Sequence, residues 1–341
     1  MKKTYNYSEA HPMKVQVKPG SYAERYYRGL SGLPGVMLPL PKAIAPGVTP
    51  SPIHDLIFHG GKTVPEMQFV NLYVGGAAAW EEEDVVSIDK AISAAMTDKQ
   101  LNNVVVQYFP GSTLSCDFVE SKILPGNPPT VVSQGDVEQL VKTLHTQGTL
   151  GKSDRATTIF NFILPSGTVL NTNPSVTGNL SATKGRRIQK TIQREADSLN
   201  GLGGYHGSVH MKSQGKKVTL YYSVNVFSEQ MPNGRDNGIA VFDRPWKNVV
   251  ATLYHELSEF RTDADVDDAI AAGNDPQGTN FLGWASRQGE EIGDWPVFAA
   301  NPLTQVFKQV KLTGKTTTIP IQFQYSNFVH GPEGPIKNPH E

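Results

Sequence analysis

The stretch Met67-Gln68-Phe69-Val70-Asn71-Leu72-Tyr73-Val74-Gly75-Gly76, followed by Glu81-Glu82-Glu83-Asp84 and then Val85, Ile88, Ile92 and Met96, decides the fold class. Its first half is a β-branched and aromatic run ended by two glycines, which reads as a strand. Its second half opens with four acidic residues, suited to the positive end of a helix dipole, and continues with apolar residues three and four apart. The acidic cluster therefore reads as a helix start, not a metal site.

The same alternation continues outward. Asp55-Leu56-Ile57-Phe58 reads as a strand, and so does Val104-Val105-Val106-Gln107-Tyr108-Phe109. Val137, Leu140, Val141 and Leu144 mark a helix beginning near Ser133 or Asp136, and Thr158-Ile159-Phe160-Asn161-Phe162-Ile163-Leu164 is a strand stopped by Pro165-Ser166-Gly167. Strands and helices in turn predict an α/β (or α+β) fold, a layered mixed sheet with part of it parallel. Further on, Gly204 to Met211 and Val218 to Phe227 flank the turn Ser213-Gln214-Gly215-Lys216 and predict a β-hairpin. A closing strand or C-terminal hairpin is expected over Ile319, Ile321, Phe323 and Tyr325.

Residues 1–52 carry Pro12, Pro19, Pro34, Pro39, Pro41, Pro46, Pro50 and Pro52, too many for a helix or a central strand, and read as an extended arm. Residues 53–341 read as one domain. The balance of 31 basic and 32 acidic residues gives no global field for nucleic acid or an anionic membrane. The basic run Lys184, Arg186, Arg187, Lys190 and Arg194 reads as the solvated side of a helix with Ile188, Ile192, Ala196 and Leu199 on its apolar face. Cys116, the single cysteine, excludes an internal disulfide scaffold. No apolar run reaches eighteen residues, and the N-terminal residues lack the unbroken apolar stretch of an export signal, although the low charge content leans toward an extracellular surface.

Chemistry concentrates in Trp246-Lys247-Asn248-Val249-Val250-Ala251-Thr252-Leu253-Tyr254-His255-Glu256-Leu257-Ser258-Glu259-Phe260. Trp246, Val249, Val250, Leu253, Leu257 and Phe260 form one helical stripe, with His255 and Glu259 nearly opposite. An imidazole and a carboxylate one turn apart can grip one cation. Glu256, between them, is free to take a proton from water on that cation, as in the zincin His-Glu-x-x-His helix with its second His replaced by Glu. The extra carboxylate lowers selectivity for Zn²⁺, so another divalent metal fits too. A third ligand must come from elsewhere, and Glu291 or Asp294 in Gly289-Glu290-Glu291-Ile292-Gly293-Asp294 is suitably placed. His206 and His210, four apart on one strand face, compete for that role.

Other motifs fail. Gly60-Gly61-Lys62-Thr63 has Leu56 where a phosphate loop needs glycine. Asp263, Asp265 and Asp267 suggest a calcium loop, but Asp268 and Asn274 stand where an EF-hand has Gly and Glu. There is no Gly-x-Ser-x-Gly elbow.

Taken in order, Gly204-Tyr205-His206-Gly207, His255-Glu256-Leu257-Ser258-Glu259 and Gly289-Glu290-Glu291-Ile292-Gly293-Asp294 resemble the motif series of the EXORDIUM-like, phosphate-induced protein family and its bacterial relatives. The resemblance covers roughly residues 53–296, with Asp55-Leu56-Ile57-Phe58-His59-Gly60 and Phe162-Ile163-Leu164-Pro165-Ser166-Gly167-Thr168 similarly placed. It implies a zincin-like site with His255, Glu259 and Glu291 as ligands, Glu256 as base, and Asp294 holding a ligand histidine through its free ring N–H. It also implies a location at the cell exterior or wall. The chain departs from the family in Thr262-Asp263-Ala264, where members often have Thr-Asp-Pro, and in lacking the cysteines common near these motifs. The functional expectation is a Zn²⁺-dependent hydrolase of peptides or a cell-wall polymer, with His206 beside the substrate or water as a donor. The alternative is a non-catalytic surface protein with a structural metal.

Overall fold

The computed structural model describes residues 44–151, 153–177, 196–213, 215–272, 276–314 and 316–339. The basic segment 184–194 and residues 1–43 of the proline-rich arm lie outside them.

Strands β1 (Leu56–Phe58) and β2 (Glu66–Tyr73) occupy the first two runs read as strands. Helix α1 (Glu82–Thr97) follows, with Glu82, Glu83 and Asp84 in its first turn. The next expectation is corrected. Val104–Phe109 is not a strand: Lys99–Val105 forms helix α2, continued by a single 3-10 turn at Val106–Tyr108. A short apolar run does not by itself separate a buried strand from a buried helix turn. The deciding signal is Asp98, whose side chain accepts from the backbone N–H groups of Gln100 and Leu101.

The strand that does pair beside β2 is β3 (Ser115–Ile123), whose polar Ser115, Asp117, Glu120, Ser121 and Lys122 suit the edge of a sheet. Strand β4 (Val131–Ser133) leads into helix α3 (Gln134–Thr146) through a capping box. Ser133 Oγ accepts from the Asp136 N–H, and Asp136 accepts from the Ser133 N–H. Strands β5 (Thr158–Ile163) and β6 (Val169–Asn171) come next, followed by the expected hairpin of β7 (Gly204–Ser213) and β8 (Lys216–Asn225).

The main sheet has the order β3-β2-β5-β8-β7, with four parallel strands and β7 antiparallel at one edge. Alternation along the strands gives it two apolar faces. Val70, Leu72, Phe160, Phe162, Tyr222 and Val224 pack against Val137, Val141 and Leu144 of α3. Met67, Phe69, Ile159, Ile163 and Tyr221 pack on the other face against α1 and helix α4 (Pro245–Thr262). This is a helix–sheet–helix sandwich, the layered mixed-sheet class read from the sequence.

Helix α4 departs from a surface helix in one respect. Its apolar stripe does meet the sheet, but every residue from Asn248 to Thr262 is buried. The polar side is covered by the turn into helix α6 (Asp294–Ala299), where Gly293 sits against His255, and by the hairpin of β10 (Phe307–Lys311) and β11 (Thr318–Gln322), whose Gln322 meets the same ring; helix α5 (Val266–Ala272) and strand β9 (Trp284–Ser286) lie between α4 and α6 in the chain. Of the expected closing segment, Ile319 and Ile321 lie in the β10–β11 hairpin, while Tyr325 lies in a separate strand, Gln324–Ser326, that pairs with Gly331–Glu333. Among the described residues no helix is long and apolar enough to cross a membrane.

Ser133 is fully buried and also donates to the Ser175 carbonyl at 2.7 Å. Ser133→Ala is therefore expected to destabilise the fold by about 1–2 kcal/mol, read from the shift of the urea unfolding midpoint.

Candidate metal centre

One strand, one helix, one turn and one hairpin converge behind α4. The helix presents His255, Glu256 and Glu259, all fully buried. Strand β7 presents His206 from the opposite wall, the turn before α6 brings Glu291, the first residue of α6 is Asp294, and β11 brings Gln322.

Each histidine is held by a group that can only accept. His255 Nδ1 lies 2.6 Å from Gln322 Oε1. The Gln322 amide is fixed in that sense because its Nε2 donates to the Gly293 carbonyl at 2.6 Å and to the Phe323 carbonyl. A neutral His255 therefore keeps its proton on Nδ1 and presents a bare Nε2, which lies 2.8 Å from Glu259 Oε1 without hydrogen-bond geometry. Two ligands each about 2.1 Å from one Zn²⁺, at roughly a right angle, stand about 3 Å apart. His206 is the mirror case: its Nε2 lies 3.1 Å from the Asp263 carbonyl oxygen, so a neutral ring turns a bare Nδ1 toward Glu256 Oε2 at 3.4 Å and Glu259 Oε2 at 3.7 Å.

The glycines of the motifs make room for this packing. A Cβ on Gly293 would collide with His255 Nδ1, and one on Gly204 would stand 3.2 Å from Glu256 Oε1. Below them, residues paired across the sheet form a polar row. Asn161 donates to Asn71 at 2.9 Å, Ser223 to Asn161 at 2.8 Å and Asn225 to Ser223 at 3.0 Å, and Ser223 is the register partner of His206.

Electrostatics follow from burial. Burial alone would depress both histidines, but the surrounding carboxylates win. His255 is raised to about 10, chiefly by Glu259, and His206 well above its usual value by Glu291, Glu256 and Glu259. Burial pushes the Glu256 carboxyl up, and burial with the Glu259 charge pushes Glu291 up much further. Glu259 is also pushed up by burial, yet the two histidines bring it below its usual value.

Two sets of three side chains can each bring ligand atoms within 4.8 Å of one another: His255, Glu259 and Asp294, and His206, Glu256 and Glu259. Asp294, expected to support a histidine, thus stands in a ligand set, while its Oδ2 accepts from the Glu291 N–H at 2.9 Å. Glu291, expected as third ligand, has Oε1 3.7 Å from His206 Nε2, and both its oxygens are buried without a hydrogen-bond partner. His210 stands apart: it is exposed and pairs with Asp268 at 2.7 Å. Asp263, Asp265 and Asp267 form no such set. Sequence reasoning missed Gln322 and Asn225, and considered Asp263 only for a calcium loop; the buried Asn71 and Asn161 inside apolar strands were the visible trace of the polar row.

Compared with known proteins, the chain matches no family model, no curated protein and no solved structure.

At neutral pH the metal-free protein carries on His255 a proton that a metal must displace. Zn²⁺ binding is accordingly expected to release protons and to tighten about tenfold for each displaced proton per pH unit from pH 7 toward 10. Calorimetry in buffers of different ionisation enthalpy measures this, and a binding enthalpy that does not change with the buffer would contradict it.

Proposed function

We propose that the chain is a metal-dependent hydrolase acting on an extended polymer, a peptide or a cell-wall chain, with Zn²⁺ or another divalent cation at the His255–Glu259 pair. The observation that carries this reading is the set of buried, unpartnered acceptors on one side of α4: His255 Nε2, Glu256 Oε1 and both oxygens of Glu259. Leaving ionised carboxylates buried without compensation costs several kcal/mol each. A cation in their midst removes that cost.

Bound there, a divalent cation supplies Lewis acidity, lowering the pKa of water toward about 7 and polarising a carbonyl. His255 and Glu259 hold it, with Asp294 from the turn as the third ligand. Glu256 accepts the proton. Its Oε1 has no partner and its carboxyl is raised by burial, so it is a stronger base than a solvated carboxylate. His206 orients Glu256 through the 3.4 Å contact with Oε2.

A second reading, a surface or wall-associated binding protein with a structural metal, is favoured by one specific observation. The side chains of His206, His255, Glu256 and Glu259 have no solvent exposure. A cation in such a closed site would tie α4, β7 and the turn together without meeting a substrate.

Zn²⁺ added to chelator-treated protein is expected to raise Tm, since a ligand at 100 times its Kd stabilises by about 2.7 kcal/mol. An unshifted melting curve would sink both readings. Glu256→Gln separates them: on the hydrolase reading it keeps the metal and loses at least about 10²-fold in turnover, because the amide cannot accept a proton. Unchanged turnover would remove Glu256 as the base.

A further inference from the structure

The two ligand sets share one residue, and the way Glu259 is shared is specific. Its Oε1 is 2.8 Å from His255 Nε2, while its Oε2 is 3.7 Å from His206 Nδ1. The carboxylate thus offers a different oxygen to each histidine. Both are the nitrogens left free once the rings are neutral, because Gln322 Oε1 and the Asp263 carbonyl take the N–H on the far side of each ring. Each of these contacts calls for something positive between nitrogen and oxygen, a proton in the metal-free protein or a metal ion in its place, and here that happens twice around one carboxylate.

Charge points the same way. Glu256, Glu259, Glu291 and Asp294 are four buried carboxylates, even before Asp263 is counted. Among the described residues, histidine is the only basic side chain within ion-pair distance of Glu256, Glu259 or Glu291. Arg261, on the same helix, is turned away to Asn102 and the Ser115 carbonyl. When ionised, Glu256, Glu259 and Glu291 carry more negative charge than one divalent cation offsets.

We propose that the cluster is a dinuclear centre: one divalent cation held by His255, Glu259 and Asp294, a second by His206, Glu256 and Glu259, with the Glu259 carboxylate bridging them. This rests on the metal-centre reading above and extends it. One histidine with two carboxylates on each side is an oxygen-rich set that suits Mn²⁺ as well as Zn²⁺. A carboxylate bridge places the ions roughly 3.5–4 Å apart, the spacing at which one stabilises the attacking oxygen and the other the leaving oxygen of a hydrolysis. Glu256 binds through Oε2, the oxygen facing His206, and keeps Oε1 to accept a proton.

The test uses the full chain, stripped with a chelator and titrated with Mn²⁺, with bound metal counted by equilibrium dialysis and the spin state read by electron paramagnetic resonance. The wild-type protein is expected to bind two Mn²⁺ per chain and give the spectrum of an exchange-coupled pair. His206→Gln is expected to bind one and give the spectrum of an isolated ion. A wild-type stoichiometry of one, with an isolated-ion spectrum, overturns the dinuclear centre and leaves the single-metal reading standing; no binding at all overturns both. Two ions retained by a folded His206→Gln would also overturn the proposal, by placing the second ion elsewhere. Should that variant fail to fold, the stoichiometry and spectrum of the wild-type chain decide the matter alone.

Discussion

Buried carboxylates that no lysine or arginine among the described residues meets are the constraint around which this structure is arranged. Glu256, Glu259 and Glu291 lie in the interior with only His206 and His255 at ion-pair distance among the described residues. Isolated carboxylates do not persist in such surroundings; they take up protons or a cation. The raised carboxyls of Glu256 and Glu291 and the raised imidazole of His255 are the response of the protein without a metal.

The fold supplies the rigidity that such a cluster needs. Helix α4 is pinned by Val249, Val250, Leu253, Leu257 and Phe260, each fully buried, and burial of such side chains stabilises by roughly 1.5–3 kcal/mol apiece. Strand β7 is pinned by its full-length ladder with β8. The third wall is fixed by one amide: Gln322 joins His255 to the Gly293 carbonyl, so the C-terminal hairpin locks the ring and the turn carrying Glu291 and Asp294 together. Held from three directions, the clustered side chains cannot relax apart to find water or other partners.

Much of this was legible in the sequence. Periodicity gave the strands at Leu56–Phe58, Glu66–Tyr73 and Thr158–Ile163, the β7–β8 hairpin and the apolar stripe of α4, because each element buries a face whose period sets it. It misread Val104–Phe109, an apolar run too short to separate a helix turn from a strand by period, and it passed over Ser115–Ile123, an edge strand with little apolar signal. The spacing of His255 and Glu259 put two side chains on one helix face. No local pattern could reveal that this face is interior, or that Gln322, 67 residues away, meets His255. The choice between Glu291 and Asp294 turns on the course of a six-residue turn, which residue types alone do not specify.

The central claim, that a cation belongs between His255 and Glu259, is tested most directly by anomalous diffraction from crystals grown with Zn²⁺, recorded on both sides of the zinc edge. The account predicts an edge-dependent peak about 2.0–2.2 Å from His255 Nε2 and from a Glu259 oxygen. A map with no such peak, and with His255 Nε2 donating a hydrogen bond to Glu259 instead, would contradict it.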